Sequence, residues 1–404
     1  MKIYQVGGSV RDKIMGIEKP ADKDFVVVNG TEEEFLNKFP DAKKVGASFP
    51  VFLVNGEEYA FARKEKKVSP GYRGFEIIAD RSVTLEEDLK RRDITINAMA
   101  LDLETGEIID PYGGINDIER KKIIHITDSF AEDPLRVYRV ARFSSVFHDF
   151  AIDPSTVLLM KKLKEELKEI SAERVWTECQ KALSGKDPAR FFEVLKECEV
   201  LDIHFAEIED LINVPAGPEE FHPGDIDTFD HTMKALRRLS CNPGGDDPVL
   251  VFSMLCHDLG KGLTDPDNYP HHYQHDKKGV KAVKELCGRL KAPSVYSKSA
   301  ELVSRYHLTV GKIKELRPAK GVKVLEEIKN FPAGGISGFL KIVRSDSGRD
   351  TEDIENFIEK VIPALNEKLP DKWKDLGRKS GELLLQIKAE KYKELKERYK
   401  SEEK

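Results

Sequence analysis

Gly7-Gly8-Ser9-Val10-Arg11-Asp12 opens the stretch that decides the fold of the first domain, and Asp22-Lys23-Asp24-Phe25 follows ten residues later. The glycine turn and its arginine are suited to the oxygens of a triphosphate. The apolar run Phe25–Val28 predicts a strand, so the preceding Asp22 and Asp24 are expected to face the same side. Two aligned carboxylates suit Mg²⁺, which keeps water and phosphate oxygens as its other ligands. The same residue types also form ordinary turns, and the motifs further along the chain favour the chemical interpretation.

The composition excludes several classes of protein. The chain has 404 residues, of which 40% are hydrophobic and 34% charged, as expected for a globular protein of two or more domains. It has neither an apolar run of membrane-spanning length nor a signal-peptide core, so a cytoplasmic protein is expected. The net charge of −6 argues against indiscriminate coating of nucleic acid. The cysteines lack CxxC spacing and are interpreted as reduced thiols: Cys179, Cys198, Cys241, Cys256 and Cys287.

Hydrophobic periodicity divides the chain into an α/β head and an all-α remainder. In the head, the strand candidates are Ile3–Val6, Phe25–Val28, Val51–Val54, Glu58–Ala62, Ala98–Leu103 and Ile108–Ile109. The helix candidates are Val10–Met15, Thr31–Lys38, Glu132–Phe147, Pro154–Lys168, Ala172–Ser184 and Ala189–Cys198. A charged loop is predicted over Lys64–Gly74, a domain boundary over Val214–Gly224, and a solvated helix or frayed end over Lys388–Lys404.

Two segments near the head add charged residues in a regular arrangement. Leu89–Ala98 places Lys90, Arg91 and Arg92 beside an aspartate, and arginine binds phosphate oxygens bidentately. Ala131–Phe143 predicts a helix that opens at a proline, with Asp133 as its N-cap. Four residues spaced three apart form a polar stripe on that helix: Asp133, Arg136, Arg139 and Arg142. The stripe suits recognition of a base edge by an Asp–Arg pair, and a solvated, salt-bridged helix face is the alternative.

Together with the turn Asp110–Asp117, these motifs resemble the class II tRNA nucleotidyltransferases, the CCA-adding enzymes of the polymerase-β-like superfamily. The likeness covers nearly the whole chain and is closest to the bacterial multifunctional CCA proteins with an added HD domain. It implies four regions: an α/β polymerase-β-like nucleotidyltransferase head at 1–140, an all-α neck and body that binds tRNA at 141–215, an all-α HD phosphohydrolase domain at 216–375, and a charged C-terminal helix or tail at 376–404.

The resemblance also implies residue roles in the head. Asp22 and Asp24 would bind two Mg²⁺ ions that activate the 3′-hydroxyl of tRNA. The incoming triphosphate would be held by Gly8, Arg11, Arg92, Arg139 and Arg142. Asp133 and Arg136 would act as a protein template that selects CTP first and ATP last. The loop from Arg63 to Phe75 matches the loop with which the family switches from C to A addition.

Most histidines lie in the second half of the chain. An adjacent His-Asp pair, with a histidine before it and an aspartate after it, resembles the metal site of HD phosphohydrolases. The resemblance implies His231, His257, Asp258 and Asp346 as ligands, and His272, His275 and His307 as secondary candidates. Imidazole and carboxylate together favour a transition metal such as Ni²⁺ over Mg²⁺. Four further histidines are interpreted as structural: His125, His148, His204 and His222. His271 is given no role.

The resemblance implies an enzyme that adds and repairs the 3′-terminal CCA of tRNA without a nucleic-acid template. Its substrates would be CTP, ATP and the acceptor arm and 3′ end of tRNA, and it would act as a monomer or homodimer away from membranes. The HD domain would supply 2′,3′-cyclic phosphodiesterase, 2′-nucleotidase and phosphatase activities. The alternatives are a poly(A) polymerase, an enzyme that adds only CC or only A, an HD phosphohydrolase with a non-catalytic RNA-binding head, and a pure tRNA-binding factor.

Overall fold

A computed structural model of the protein describes residues 1–17, 22–46, 51–67, 75–78, 81–240, 247–374 and 377–402. The chain forms two compact units, the first of residues 1–178 and 194–203 and the second of residues 179–193 and 204–404. The first contains a sheet and the second is helical, so the predicted α/β head followed by helical domains is confirmed. Among the described helices, none is both long and apolar enough to cross a membrane.

The strands all lie in the first unit. They are β1 (Lys2–Val6), β2 (Asp24–Val28), β3 (Lys43–Val45), β4 (Val51–Val54), β5 (Glu57–Phe61), β6 (Lys64–Lys67), β7 (Phe75–Ile78), β8 (Ala100–Asp102), β9 (Ile108–Ile109), β10 (Lys122–Ile123) and β11 (Ala151–Ile152). Seven of them form one sheet in the order β3-β4-β5-β2-β1-β8-β9. In this sheet β2 is antiparallel to β1 and parallel to β5.

The helices begin between the strands and continue through the second unit. They are α1 (Gly8–Ile14), α2 (Glu32–Lys38), α3 (Leu85–Lys90), α4 (Gly114–Glu119), α5 (Arg136–Val146), α6 (Pro154–Lys162), α7 (Lys164–Leu167), α8 (Ala172–Leu183), α9 (Ala189–Glu197), α10 (Asp202–Glu209), α11 (Thr228–Ser240), α12 (Pro248–Leu255), α13 (His275–Leu290), α14 (Ser294–Gly311), α15 (Pro318–Ile328), α16 (Gly335–Ser347), α17 (Glu352–Val361) and α18 (Arg378–Glu402). Short 3₁₀ turns connect several of them, among them Thr95–Asn97, Asp128–Glu132 and Leu259–Leu263.

The central strand β2 is covered on both faces, which explains its uninterrupted apolar sequence. Phe25 and Val27 belong to an aromatic cluster around Phe35 on one face. Val26 lies on the other face and packs in a cluster with Leu89, at the end of α3. Because alternate residues share a face, Asp24 lies on the same side of the sheet as Val26 and therefore beside the α3 end of the domain.

Several predicted elements have different boundaries in the structure. The predicted loop Lys64–Gly74 begins as β6, which pairs with β7, and its residues 68–74 lie outside the described residues. The helix predicted from Glu132 begins four residues later because the backbone of Asp133 is extended. The helix predicted over Pro154–Lys168 is interrupted between α6 and α7. The C-terminal helix α18 is not wholly solvated, since it buries Tyr392 and Tyr399.

Candidate functional sites

The glycine turn, one carboxylate and one arginine meet where β1 ends. Gly7 has a φ of +76°, which favours glycine, and α1 begins at the next residue. A Cβ at Gly7 would lie 3.0 Å from Nη1 of Arg92 and 3.9 Å from Oδ2 of Asp24. The arginine therefore occupies the space that a side chain at Gly7 would need, and it lies beside the carboxylate that begins β2.

Three carboxylates gather at this edge of the sheet. Asp22 and Asp24 are both accessible at the surface. Glu58 pairs with Asp24 across the parallel strands, so the two side chains share one face. Partial loss of hydration, together with the charges of Glu58 and Asp22, raises the pKa of Asp24 above its usual value in spite of Arg92. Such an accumulation of negative charge suits a divalent cation with oxygen ligands. Glu58 was not predicted as a site residue.

Asp88, also not predicted, holds the arginine of this site in place. Its carboxylate is fully buried and accepts hydrogen bonds from Arg91 (Nη2 to Oδ1, 2.7 Å) and Arg92 (Nη2 to Oδ2, 3.3 Å). Burial alone would raise the pKa of Asp88, but the two guanidinium groups hold it below its usual value. Arg92 is therefore fixed at one end by Asp88 and presents Nη1 toward Gly7 and Asp24.

Arg11 lies below this site in a buried network and does not face solvent. Its guanidinium donates to Asp12 Oδ1 (2.6 and 2.8 Å) and to Asn97 Oδ1 (2.6 Å). Asn97 in turn donates to Asp93, whose other oxygen accepts from Nε of Arg139 at 2.8 Å. Arg11 therefore stabilises the residues beneath the site through Asp12 and Asn97. Its contact with a triphosphate stays a prediction.

Arg139 and Arg142 of α5 form a partly buried ion-pair network, with the buried carboxylates of Asp93 and Glu178 as partners. Glu178 accepts from Arg142 Nε at 2.6 Å and lies 3.8 Å from Arg139 Nη1. Burial would raise the pKa of Asp93, but Arg139 and Asn97 hold it far below its usual value. Both arginines are therefore held by carboxylates, Arg139 by Asp93 and Arg142 by Glu178.

Asp133 and Arg136, predicted to read a base edge together, have different hydrogen-bond partners in this structure. Both carboxylate oxygens of Asp133 accept from Nη2 of Arg174, at 3.0 and 3.2 Å. The guanidinium of Arg136 is buried and donates to the backbone carbonyls of Ser129 and Arg91. Arg174 was missed because it lies on α8, 41 residues from Asp133. A polar cleft of about 480 Å³ opens beside these carbonyls at the base of β6.

In the second unit, the four predicted HD ligands converge at one buried point. His231 Nε2 lies 3.0 Å from Asp346 Oδ1, and His257 Nε2 lies 3.3 Å from the same oxygen and 3.1 Å from Asp258 Oδ2. One ligand atom from each of the four residues lies within 4.8 Å of the others. Three separate helices supply them, since His231 is on α11, Asp346 is on α16, and the His-Asp pair directly follows α12.

The other oxygen of Asp258 faces two of the secondary candidates. His275 Nε2 lies 3.4 Å and His307 Nε2 lies 3.5 Å from Asp258 Oδ1. His272 is not in this group, because its Nδ1 is hydrogen-bonded to Thr264 Oγ1 (2.7 Å) and its Nε2 to the carbonyl of Pro215 (2.6 Å). Burial lowers the pKa of His272 to about 4. His272 is therefore neutral, and its two hydrogen bonds connect Thr264 with Pro215.

The donor set has the features of a metal site. His257 Nε2, Asp258 Oδ1 and His275 Nε2 are buried and have no hydrogen-bond partner among the described residues. Buried polar atoms without partners are costly, and a bound cation would satisfy all three. Although burial would lower it, the carboxylates of Asp258 and Asp346 raise the pKa of His257 to about 10. The cluster therefore favours positive charge at its centre.

The Pro/Gly-rich segment predicted as a domain boundary contributes directly to this site. Asp225 Oδ2 is 2.9 Å from Nδ1 of His231 and 3.3 Å from Nδ1 of His222. Lys261 donates to Asp258 Oδ2 (2.7 Å) and to the carbonyl of Ala216 (2.6 Å). The ring of His222, interpreted as structural, lies 4.7 Å from that of His231, so this histidine adjoins the site, and its role stays a prediction.

Comparisons with known proteins assign both sites to known domains. The family model of the poly A polymerase head domain matches residues 3–124, that of a probable RNA and SrmB-binding site of polymerase A matches 149–212, and that of the HD domain matches 228–330. The first and third of these domains imply use of divalent metal ions.

The fold is that of known CCA-adding enzymes. A CCA-adding enzyme solved in complex with CTP has a TM-score of 0.61 at 22% identity, and covers 97% of this chain and 87% of its own. The CCA-adding enzyme of Thermotoga maritima complexed with tRNA has a TM-score of 0.59 at 21% identity, over 100% of this chain and 92% of its own.

The sequence relatives are more similar. A multifunctional CCA protein of Legionella pneumophila strain Paris is 46% identical over 337 residues, which are 82% of this chain and 80% of that protein. A multifunctional CCA protein of Shewanella frigidimarina is 46% identical over 333 residues, which are 81% of this chain and 78% of that protein. These similarities confirm the resemblance that the motifs indicated: the chain belongs to the family of multifunctional CCA proteins.

Proposed function

We propose that this protein adds and repairs the 3′-terminal CCA of tRNA from CTP and ATP, and that its second unit is a metal-dependent phosphohydrolase. The observation that carries the first activity is the meeting of Asp24 and Arg92 at the Gly7 turn, with the charge of Asp22 acting on Asp24. In the proposed reaction the 3′-oxygen of tRNA attacks the α-phosphorus, and the bond to pyrophosphate breaks. The protein would act in the cytoplasm, in keeping with buried free cysteines at four described positions.

The head residues divide this task between them. Asp22 and Asp24, with Glu58 beside them, would hold Mg²⁺, which when bound supplies positive charge for the triphosphate and favours ionisation of the 3′-hydroxyl. Arg92, fixed by Asp88, would bind phosphate oxygens with the nitrogen that faces Gly7. Arg139 and Arg142 would place their remaining donors toward the same triphosphate, since Asp93 and Glu178 already fix their orientation.

Base selection would depend on the carboxylate of Asp133. Its contact with Arg174 restricts its orientation, so that its oxygens can accept hydrogen bonds from the amino group of cytosine or adenine. Arg136 would hold the floor of the base site through the two backbone carbonyls. The described residues of the predicted neck, 141–215, would contact the acceptor arm of tRNA, which is supported by the RNA-binding family model over 149–212.

Arg174→Ala is expected to relax the choice between CTP and ATP about tenfold, because Asp133 loses the charged donor that orients it. The measurement is the ratio of kcat/KM for CTP to that for ATP on tRNA that lacks its CCA end. Asp133→Ala should change the ratio in the same direction, with little further effect in the double variant.

The matched control for Arg174 is the exposed Arg120, whose replacement by alanine should leave the ratio unchanged. If Arg174→Ala slows addition of both nucleotides equally, Arg174 does not position Asp133 for base selection.

In the second unit we propose two metal positions that share Asp258. His231, His257 and Asp346 would complete the first with Oδ2 of Asp258, and His275 and His307 would complete the second with Oδ1. A transition metal such as Ni²⁺ fits this mixed imidazole and carboxylate set, and when bound it supplies an activated water. In hydrolysis of a 2′,3′-cyclic phosphate, the water oxygen bonds to phosphorus, one ring P–O bond breaks, and a proton passes to the released ribose oxygen. The same site would carry the 2′-nucleotidase and phosphatase activities.

An extension assay tests the first activity. It uses tRNA that lacks its 3′ end, Mg²⁺, and CTP alone, ATP alone or both, with products resolved to one nucleotide. Two added nucleotides with CTP alone and three with both substrates are expected. A long ladder with ATP would instead show a poly(A) polymerase. Absence of any extension would favour a phosphohydrolase with an RNA-binding head.

A further inference from the structure

A cavity of about 320 Å³ opens from the HD metal cluster to the surface of the second unit. Its inner wall contains the ligands Asp258, His307 and Asp346 together with Lys261. Its volume is at the lower end of small-molecule sites, which span roughly 300–1,000 Å³. The proposed hydrolysis uses the metal ligands at the inner wall, so the outer part of the cavity is available to other parts of a substrate.

Two exposed apolar side chains form one side of the opening. Phe221 is 57% exposed and Leu308 is 48% exposed, and both line the cavity. Each directly adjoins a residue of the site, since Phe221 precedes His222 and Leu308 follows His307. The segment that carries Phe221 is held in place, because its neighbour Asp225 is bonded to His231. A flat aromatic ring exposed at a phosphohydrolase opening is suited to stack on a nucleobase.

Two cations lie at the same opening without a protein partner. Lys312 and Arg349 line the cavity, are exposed, and form no side-chain ion pair with any residue that the structure describes. Lys312 caps α14 five residues after His307, and Arg349 lies three residues after Asp346. Neither lies among the metal ligands, so both are available to an anion outside the reacting phosphate.

From this arrangement we infer how the HD site selects the terminal nucleotide of an RNA: its base stacks on Phe221, and Lys312 and Arg349 contact the phosphate on its 5′ side. The inference rests on the proposed phosphohydrolase activity and adds to it the residues that select the substrate. A base-free phosphate ester would use only the metal cluster. A mononucleotide would also use Phe221. An oligonucleotide would use Phe221, Lys312 and Arg349.

The test compares three cyclic phosphates of increasing size in the Ni²⁺-loaded full chain: glycerol 1,2-cyclic phosphate, adenosine 2′,3′-cyclic phosphate, and the dinucleotide ApA with a 2′,3′-cyclic end. Phe221→Ala is expected to raise KM about tenfold for the two adenosine substrates and to leave glycerol cyclic phosphate unchanged. Lys312→Ala and Arg349→Ala should lower kcat/KM several-fold for the dinucleotide alone.

Matched controls are available on the same unit. Ile226→Ala removes an apolar side chain that is 85% exposed on the same segment as Phe221, and Lys323→Ala removes an exposed lysine of α15; both should behave as the unmodified protein. Equal loss on all three substrates in Phe221→Ala would overturn the role of stacking. If Lys312→Ala and Arg349→Ala lower kcat/KM equally for the mononucleotide and the dinucleotide, the proposed phosphate contact is wrong. If the unmodified protein hydrolyses none of the three, the proposed phosphohydrolase activity itself fails.

Discussion

Asp24→Asn is expected to reduce nucleotide addition by about a thousandfold while leaving phosphohydrolysis unchanged. Asparagine is nearly the same size, so the sheet pairing of β2 with β1 and β5 should persist. What is lost is one of the carboxylate charges at the Gly7 turn, and with it several kcal/mol of transition-state stabilisation from bound Mg²⁺. The measurement is the single-turnover rate of CTP addition to tRNA that lacks CCA.

Two variants make this experiment specific. Asp41→Asn removes an exposed aspartate elsewhere in the head and should retain the full rate. Glu58→Gln should give an intermediate loss, because Glu58 shares the face of Asp24 but lies on the neighbouring strand. Retention of addition in Asp24→Asn would refute the assignment of Asp24 as a metal ligand. Equal loss in Asp41→Asn would show that the assay reports folding rather than catalysis.

The head could be predicted from sequence wherever the determining contacts are local. All six predicted strands are present, because each is a short apolar run bounded by turn residues. Glu58 could not be predicted as a site residue, because it joins the site through the parallel pairing of β5 with β2, which local spacing does not encode. Asp88 did have a local signal, since it lies three and four residues before its partners Arg91 and Arg92.

The arginine stripe includes a contact that helix spacing could not predict. The spacing of three placed Asp133 and Arg136 on one face of a predicted helix, but the extended backbone at Asp133 removes it from the helix. Its carboxylate then meets Arg174 of α8, whereas Arg136 is buried against backbone carbonyls. Helix periodicity describes neighbours only within one helix, and here the helix begins after the residue that matters.

In the second unit, motif spacing gave candidate histidines but did not separate His272 from His275. His272 and His275 are three residues apart, yet only His275 faces Asp258, because His272 precedes α13 and is bonded to Thr264 and Pro215. The segment around Asp225 was interpreted as a boundary from its proline and glycine content. Its hydrogen bond to His231 depends on a fold-back that composition does not encode.

His257→Ala is expected to reduce HD phosphohydrolysis by about a thousandfold and to leave nucleotide addition at its full rate. His257 is fully buried and its Nε2 lies between Asp258 and Asp346, so alanine removes a metal ligand and leaves two carboxylates facing each other without a cation between them. Such unpaired buried charges lower the stability of the folded site, and the loss of the ligand weakens metal binding. His148→Ala, which removes an exposed histidine outside both sites, is the matched control.

The number of metal ions bound per chain tests whether the second unit has one metal position or two. The unmodified protein is expected to bind two Ni²⁺ ions per chain by elemental analysis, and His275→Ala is expected to bind one, because His275 contacts only the Oδ1 side of Asp258. Asp258→Asn should bind neither tightly, since its carboxylate faces both groups of histidines. A single ion per chain that is unaffected by His275→Ala would refute the second position. Loss of nucleotide addition in His257→Ala would instead show that the two activities depend on one another.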